Sequence, residues 1–211
     1  MRRLNMYPNK TPGTLITFCG LDGCGKTTMI KRLISMLETE HPVFLTKQPT
    51  DFVRRSDIFR TYMDNPDHSA FDYRSLSLLA ASDRVQHTNK TIVPEIANGK
   101  IVVSDRYFYS CLANLHARGY TEDAWIYEIA ESIVKPDLAF FLDVPVEVAV
   151  KRVRSRPEEK DRYIDMELQH RLRAEYLEIC RANDGIWLST EESPEDTFYH
   201  IWSAVRQQLD R

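Results

Sequence analysis

The sequence predicts an α/β fold with a parallel sheet, because short apolar runs alternate with helical segments along its 211 residues. The runs are almost continuously apolar, which is typical of strands whose sheet is covered by helices on both faces. With 43% hydrophobic and 28% charged residues, a chain of this length can bury one core, so we expect one domain. The predicted strands cover residues 14–19, 42–46, 101–104, 137–144 and 185–189.

Amphipathic helical segments separate these strands. The first begins at Lys26 and repeats apolar residues at helical spacing through Leu37. A long stretch over residues 72–98 should be kinked at Pro94, which has no backbone N–H, and should end at Asn98-Gly99. Residues 47–71 show no clear period, so we expect a partly helical insert facing the ligand. Further helices are predicted at 121–134, 146–156, 163–182 and 194–209.

Charge and composition exclude several classes of protein. The net charge of −3 lacks the basic excess that would attract nucleic acid or an anionic membrane, so we expect neither partner. No apolar run approaches the roughly 18 residues of a membrane span. Residues 1–13 carry no apolar segment typical of a secretory signal, so a loose leader is predicted. Four cysteines without paired spacing favour reduced thiols and a cytoplasmic location.

A glycine-rich motif directly follows the first predicted strand. GLDGCGKT, residues 20–27, matches GxxxxGK[ST] at every position and leads into a helix. Such a loop points backbone N–H groups at nucleotide phosphates, and the helix dipole adds to that field. We predict an ATP site in which Lys26 bridges the β- and γ-phosphates and Thr27 ligates Mg²⁺. The other loop residues predicted to hold ATP are Gly20, Gly23, Cys24, Gly25 and Thr28.

A charged pair ends the third predicted strand. Asp105 follows IVVS, and a carboxylate at that strand end can reach Mg²⁺ or its water shell beside the phosphate loop. Arg106 would enter the same crevice and grip an acceptor phosphate through its planar fork. The alternative is a strand-end turn with a surface ion pair. The phosphate loop on another strand favours the functional interpretation.

Six basic side chains are concentrated within residues 151–162. They could form the solvated end of a helix, which is the usual role of a charge run. They could also form a mobile flap that brings cations to the transferring phosphate and excludes water. The flap interpretation predicts a lid at about 151–163, with Arg154 and Arg156 catalytic. Arg152 and Arg162 would then bind ATP.

Taken in order and spacing, these segments resemble the thymidylate kinase family of P-loop nucleoside monophosphate kinases. The resemblance runs from about residue 14 to the C-terminus, so it implies one kinase domain over 14–211. It also implies a five-stranded parallel sheet flanked by helices, transfer of phosphate from ATP to dTMP, Mg²⁺ dependence and commonly a homodimer. The segments that carry it are GLDGCGKTT (20–28), ASDR (81–84), DRYFYS (105–110), KPDLAFFLDV (135–144) and KRVRSR…DRY (151–163).

The resemblance also implies roles on the acceptor side. Asp22 would bind the sugar 3′-hydroxyl, Arg84 would reach the base, and Arg106 would hold the acceptor phosphate. Tyr107 and Ser110, from the DRYFYS segment, would complete this side. Some family members have a catalytic arginine in the phosphate loop, but position 23 is Gly here, so the chain resembles the members with an arginine-rich lid.

Three departures from the family pattern fall on the nucleoside side. Lys47-Gln48-Pro49 stands where the family has Arg-Glu-Pro, Ala80 where it has a Phe that stacks on thymine, and Asn114-Leu115 where it often has Tyr-Gln. A kinase for another nucleoside monophosphate is therefore an alternative. A non-catalytic nucleotide-binding module and a P-loop hydrolase or switch are alternatives from other classes, against which the intact Lys26 and the arginine-rich lid argue.

Overall fold

The computed structural model describes residues 1–64, 72–161, 163–191 and 193–210, without the side chains of residues 63 and 64. Its sheet contains all five predicted strands. They pair in parallel throughout, in the order β2-β3-β1-β4-β5, which confirms the predicted fold class. The strands are β1 (Thr14–Cys19), β2 (Val43–Lys47), β3 (Ile101–Asp105), β4 (Leu138–Asp143) and β5 (Ile186–Ser189).

The strand order makes β1 the centre of the sheet, with β3 on one side and β4 on the other. Because the strands are parallel, all their carboxyl ends lie along one edge, where ligands bind in open α/β sheets. The phosphate loop leaves β1 at this edge, and Asp105 ends the neighbouring β3. The sheet thereby brings together two motifs that are about eighty residues apart in sequence.

Helices cover the sheet in the part of the chain that is described. α6 was missed by the sequence prediction, because residues 108–116 are apolar nearly all round and show no amphipathic period. The predicted insert at 47–71 contains two short helices, α2 and α3. The helices are α1 (Lys26–Leu37), α2 (Asp51–Arg54), α3 (Asp57–Asp64), α4 (Tyr73–His87), α5 (Val93–Ala97), α6 (Phe108–His116), α7 (Trp125–Ala130), α8 (Val146–Arg154), α9 (Met166–Ala182) and α10 (Pro194–Leu209).

The irregularity predicted near Pro94 is a π-helical turn. Residues Thr88–Ile92 form this turn between α4 and α5, and Pro94 lies in the first turn of α5. A proline has no N–H to continue the regular helical pattern, and it is tolerated where a helix begins. The long stretch predicted from the sequence is therefore two helices joined by a wider turn.

The N-terminal segment differs from the predicted loose leader. Leu4 and Met6 are buried in the core, and Tyr7 forms a parallel bridge with Val134. In an extended chain, side chains two residues apart point to the same face, so Leu4 and Met6 bury together. The backbone N–H of Leu4 also donates to the Asn183 side chain at 3.0 Å. The segment is thus part of the packed domain.

The core and the cysteines agree with the composition. The rings of Phe18 and Phe140 stack at 5.1 Å between centroids in the middle of the sheet. All four cysteines are free and buried, as predicted. Among the described helices, each is too short or too polar to cross a bilayer.

Candidate active site

The phosphate loop is shaped by glycines at positions of close backbone approach. Gly20 and Gly23 have φ values of 134° and 85°, a region that side chains disfavour. A Cβ at Gly20 would lie 2.2 Å from the Leu142 carbonyl oxygen, and one at Gly23 would lie 2.2 Å from that of Ala149. The loop therefore packs directly against the end of β4 and against α8. Any side chain at either position would push it out of shape.

Lys26 is folded back inside this loop. Its ammonium group donates to the carbonyl oxygens of Gly20 at 3.1 Å and Leu21 at 2.7 Å, and it lies 3.6 Å from the Cys24 Sγ. Cys24 is buried beneath the loop, so its predicted contribution to ATP binding is limited to its backbone. Lys26 is only 7% exposed, yet it borders an open cavity of about 430 Å³. Further predicted residues lining this cavity are Asp22, Gly23, Gly25, Thr27, Thr28, Asp105, Arg106, Arg152 and Arg156.

Asp105 lines this cavity and has one carboxylate oxygen without a hydrogen-bond partner among the described residues. Its Oδ2 is 3.5 Å from the Lys47 ammonium, whereas its buried Oδ1 has no hydrogen-bond partner among the described residues. A buried carboxylate oxygen normally has a partner, so an orphaned one suits a ligand. Mg²⁺ is held by one or two protein oxygens together with phosphates and water, and Asp105 with the Thr27 hydroxyl fits that pattern. The described residues contain no cluster of three or more His, Cys, Asp or Glu that would form a different metal site.

Arg106 is held in an unusual backbone conformation. Its φ of 69° lies in the left-handed region, which costs a non-glycine residue about 1–3 kcal/mol and is concentrated at functional sites. Its side chain donates to Asp22 at 2.5 Å, to the Gly20 carbonyl at 3.2 Å and to the Tyr176 hydroxyl at 3.0 Å. Burial acts to lower the pKa of Arg106, but Tyr176 and the carboxylates of Asp22 and Asp105 raise it well above its usual value. The guanidinium is thus a fixed positive charge beside the phosphate loop.

A second arginine, Arg54, lines a second cavity that Arg106 also borders, which we call the acceptor cavity. It extends from α2, and its Nε donates to the Pro49 carbonyl at 2.7 Å. The pKa of Arg54 is lowered by burial and then by the positive charge of Arg106. Two cations that repel each other across a cavity are relieved by an anion between them. Sequence reasoning missed Arg54 because it lies in the stretch without a clear period.

The acceptor cavity has a volume of about 820 Å³ and extends away from the phosphate loop between α4 and α6. Arg84 lies in its wall and is 3% exposed, with its Nη1 donating to the Ala80 carbonyl at 2.8 Å. Its buried Nε has no partner among the described residues. Ser110 accepts a hydrogen bond from the Tyr176 hydroxyl at 3.0 Å. The predicted acceptor residues that line this cavity are Asp22, Ala80, Arg84, Arg106 and Ser110.

Among the described residues, four that were predicted in the site line neither cavity, namely Gly20, Cys24, Tyr107 and Arg154. The Tyr107 ring is fully buried, and its hydroxyl donates to the Val134 carbonyl at 2.7 Å, so it packs the core instead of contacting a substrate. Arg106 lines both cavities, so the side chains of these two consecutive residues lie on different sides of the backbone. Arg154 is exposed and lines neither cavity. Arg162 lies outside the described residues.

The lid arginines differ in what they contact. Arg152 donates to the Thr190 hydroxyl at 3.2 Å and to its carbonyl at 3.0 Å, which ties α8 to the loop after β5. Arg156 follows α8 and lines both cavities. The structure therefore separates Arg156, which faces the reaction site, from Arg154 two residues earlier.

Two further site residues had weak or no sequence signals. Lys47 lines both cavities from the carboxyl end of β2, a position that the strand prediction could have marked. Tyr176 lines the acceptor cavity from the middle of α9, where nothing in the amphipathic pattern distinguishes it from a core residue.

The two cavities meet at the phosphate loop. Asp22, Lys47, Arg106 and Arg156 line both of them. Two ligands can therefore face each other across shared side chains, which is the arrangement that direct group transfer requires. This fold and this pair of cavities define the class of P-loop nucleoside monophosphate kinases.

Comparison with known proteins identifies the family within that class. Residues 18–201 match the thymidylate kinase family, so the chain belongs to that family. It is 38% identical over 201 residues to a probable thymidylate kinase of Pyrococcus horikoshii, covering 93% of this chain and 98% of that protein. It is 33% identical over 204 residues to a probable thymidylate kinase of Thermococcus gammatolerans, with the same coverage. A thymidylate kinase of Geobacillus sp. is 33% identical over 207 residues, covering 94% of this chain and 98% of that protein.

Proposed function

We propose that this protein transfers the γ-phosphoryl group of ATP to dTMP, giving dTDP and ADP. The observation that carries the proposal is the shared wall between the nucleotide cavity and the acceptor cavity. A hydrolase or switch needs only the first cavity, whereas a kinase needs both. Family membership then favours dTMP as the acceptor.

On the ATP side, Lys26 is expected to leave the carbonyl oxygens of Gly20 and Leu21 and to meet the β- and γ-phosphates. Thr27 and Asp105 would hold Mg²⁺, which neutralises developing charge on the phosphates when it is bound. The loop N–H groups would surround the β-phosphate at the start of α1. Arg152 would fix the loop after β5, which borders the same cavity through Thr190.

On the acceptor side, the phosphate of dTMP would bind between Arg54 and Arg106. An anion there relieves the repulsion between the two guanidinium groups, and a bidentate arginine contact fixes its orientation. Asp22 now pairs with Arg106 and would accept the 3′-hydroxyl of the sugar once a phosphate occupies Arg106. Arg156 lies at the boundary of both cavities and would stabilise the charge on the transferring group.

The test is the initial rate of ADP release from ATP with dTMP, dUMP, dCMP, dAMP, dGMP and no acceptor. We expect dTMP to give the highest kcat/KM, with little release when no acceptor is present. Rapid release that does not depend on any acceptor would indicate a hydrolase. ATP binding without turnover on any acceptor would indicate a nucleotide-binding module.

Arg54→Ala tests the acceptor-phosphate site. The variant should raise the KM for dTMP by about tenfold or more, because it removes one charged hydrogen-bond donor, and it should leave the KM for ATP nearly unchanged. Arg55→Ala is the matched control, since Arg55 is 82% exposed and pairs with Asp51 at 2.7 Å. Equal effects of the two substitutions would remove Arg54 from the site.

Family resemblance also leads us to propose a homodimer in the cytoplasm. Sedimentation equilibrium of the full chain would measure the oligomeric state, and cell fractionation would measure the location. A monomer at all accessible concentrations would contradict the first proposal.

A further inference from the structure

Arg118 lines the acceptor cavity just beyond the C-terminal end of α6. Its guanidinium carbon lies 3.9 Å from the centre of the Tyr73 ring. Its Nε donates to the Tyr62 hydroxyl at 2.9 Å, and its Nη1 donates to the backbone and side-chain oxygens of Asn114, both at 3.0 Å. Stacking on a ring and three hydrogen bonds hold this long side chain in one orientation.

The charge of Arg118 is not neutralised within the part of the chain that the structure describes. Its contacts there are to neutral oxygens and a ring, and no carboxylate pairs with it. By contrast, Arg74 stacks on Tyr120 at 4.4 Å and also pairs with Asp123 at 2.7 Å. Arg74 lies outside both cavities, whereas Arg118 lines the acceptor cavity. Arg118, which lines the cavity, is therefore the arginine whose charge remains available to a ligand.

The position of Arg118 fits the length of a bound nucleotide. Ser110, Asn114 and Arg118 are spaced by four residues along α6 and the turn after it, and all three line the cavity. At about 1.5 Å per residue, Arg118 lies roughly 12 Å beyond Ser110 along this direction. Ser110 is linked to Arg106 through Tyr176, so it marks the phosphate end. Arg118 is then placed at the base of the nucleotide.

Two arginines supply hydrogen-bond donors to the wall that α4 and α6 form. Arg84 contributes an Nε without a partner among the described residues, and Arg118 contributes an Nη2 with no hydrogen bond among them. None of the described residues of α4 and α6 that line the cavity carries a carboxylate. A base that offers carbonyl oxygens can accept from these donors. An amino group on the base is itself a hydrogen-bond donor, so it could not accept from these N–H groups.

We propose that Arg118 is a second base-reading residue, which acts with Arg84 to select a nucleobase bearing carbonyl oxygens over one bearing an amino group. The inference rests on the proposed function, because it assigns the base end of the same acceptor site. Asn114 and Tyr73 hold the guanidinium in place for this role. Ala80, where the family has a ring, lines the same cavity.

The test compares kcat/KM for dTMP and dCMP in the wild type, in Arg118→Ala and in Arg118→Lys. These acceptors are of similar size: position 4 of the base carries a carbonyl oxygen in dTMP and an amino group in dCMP, N3 carries a proton only in dTMP, and only dTMP has a 5-methyl group. We expect Arg118→Ala to reduce the ratio of dTMP to dCMP by at least tenfold, mainly through the KM for dTMP, while the KM for ATP stays within about twofold. Arg118→Lys keeps the charge without the planar fork, so it should retain part of the selectivity.

Arg74→Ala is the matched control, because Arg74 is also stacked on a tyrosine ring but lies on α4 and lines neither cavity. Its dTMP to dCMP ratio should equal that of the wild type. The melting temperature of each variant separates loss of fold from loss of selectivity. A ratio within twofold of the wild type in Arg118→Ala, or an equal loss for both acceptors, would overturn the inference while dTMP kinase activity of the wild type stands. If the wild type does not phosphorylate dTMP, the proposed function fails first and this inference falls with it.

Discussion

The two ends of the acceptor crevice are built in different ways. At the phosphate end, backbone atoms shape the site: glycines of the phosphate loop touch the carbonyls of Leu142 and Ala149, and strand ends carry Lys47 and Asp105. At the base end, side chains from separate helices form the walls, and they hold each other by stacking and hydrogen bonds. The first end is fixed by the sheet, and the second depends on which side chains α3, α4 and α6 carry.

Because the two ends are built differently, the residues for phosphoryl transfer and the residues that select the base can change independently in such a fold. A backbone cradle changes little when surface side chains change, so a fold of this kind can keep phosphoryl transfer while its acceptor changes. A wall of side chains can exchange one ring or cation for another and still enclose a base. Two of the three departures from the family pattern, at Ala80 and at Asn114-Leu115, fall on the second kind of wall, whereas Lys47 stands at the phosphate end. The contrast can be tested by substitutions at each end.

The largest effect is expected at Lys26. Lys26→Ala should reduce kcat by at least about a thousandfold, because the lysine meets charge that is greatest in the transition state. Loss of the hydrogen bonds from Lys26 to the carbonyl oxygens of Gly20 and Leu21 should lower the free energy of unfolding by about 1–3 kcal/mol. The variant should therefore remain folded. Lys31→Ala, at an exposed position of the same helix, is the control. Turnover within a few-fold of the wild type in Lys26→Ala would mean that the phosphate end is not the catalytic end.

A smaller effect is expected at the lid, where the two arginines should differ. Arg156→Ala should lower kcat by roughly a hundredfold, the scale of losing one preorganised donor, because Arg156 borders both cavities. Arg154→Ala serves as its control and should change kcat less than threefold, since Arg154 lines neither cavity. The measurement is steady-state kinetics with both substrates. The reverse order of effects would show that the lid closes in a different arrangement from the one described.

The smallest effect is expected at Tyr176, which links the two ends. Tyr176→Phe removes the hydroxyl that accepts from Arg106 and donates to Ser110. Arg106 keeps its contacts with Asp22 and Gly20, so the KM for dTMP should rise by only about 2–10-fold, the scale of one hydrogen bond, with kcat less affected. Tyr199→Phe, at a 67% exposed position, is the control. An unchanged KM for dTMP would leave Tyr176 with a packing role alone.

The contrast between the phosphate end and the base end also explains which residues could be predicted from the sequence. The phosphate loop, Asp105 and the five strands were predicted because local patterns dictate local backbone, and the parallel sheet then brings the strand ends together. Tyr107 was assigned to the acceptor side with the rest of its motif, but its side chain is buried in the core, and a motif does not tell which of its side chains face the ligand. Leu4 and Met6 were missed because two alternating apolar residues are too short a pattern to indicate burial.

Other residues of the site could not be predicted from the sequence at all. The role of Arg54 depends on the positive charge of Arg106, and the role of Arg118 depends on the tyrosine ring on which it stacks. These neighbours come from distant parts of the chain. Tyr176 has the same spacing as the core residues of α9. Each of these positions is set by the packing of one helix against another, which no local period reveals.

Following the labelled phosphate from γ-labelled ATP tests direct transfer between the two cavities. The protein is incubated with labelled ATP and Mg²⁺, with and without dTMP, and the products are separated. We predict that the label appears in dTDP in equal amount to the ADP formed, and that release of labelled inorganic phosphate is slow in both cases. Label that accumulates as inorganic phosphate at a rate independent of dTMP would contradict the account.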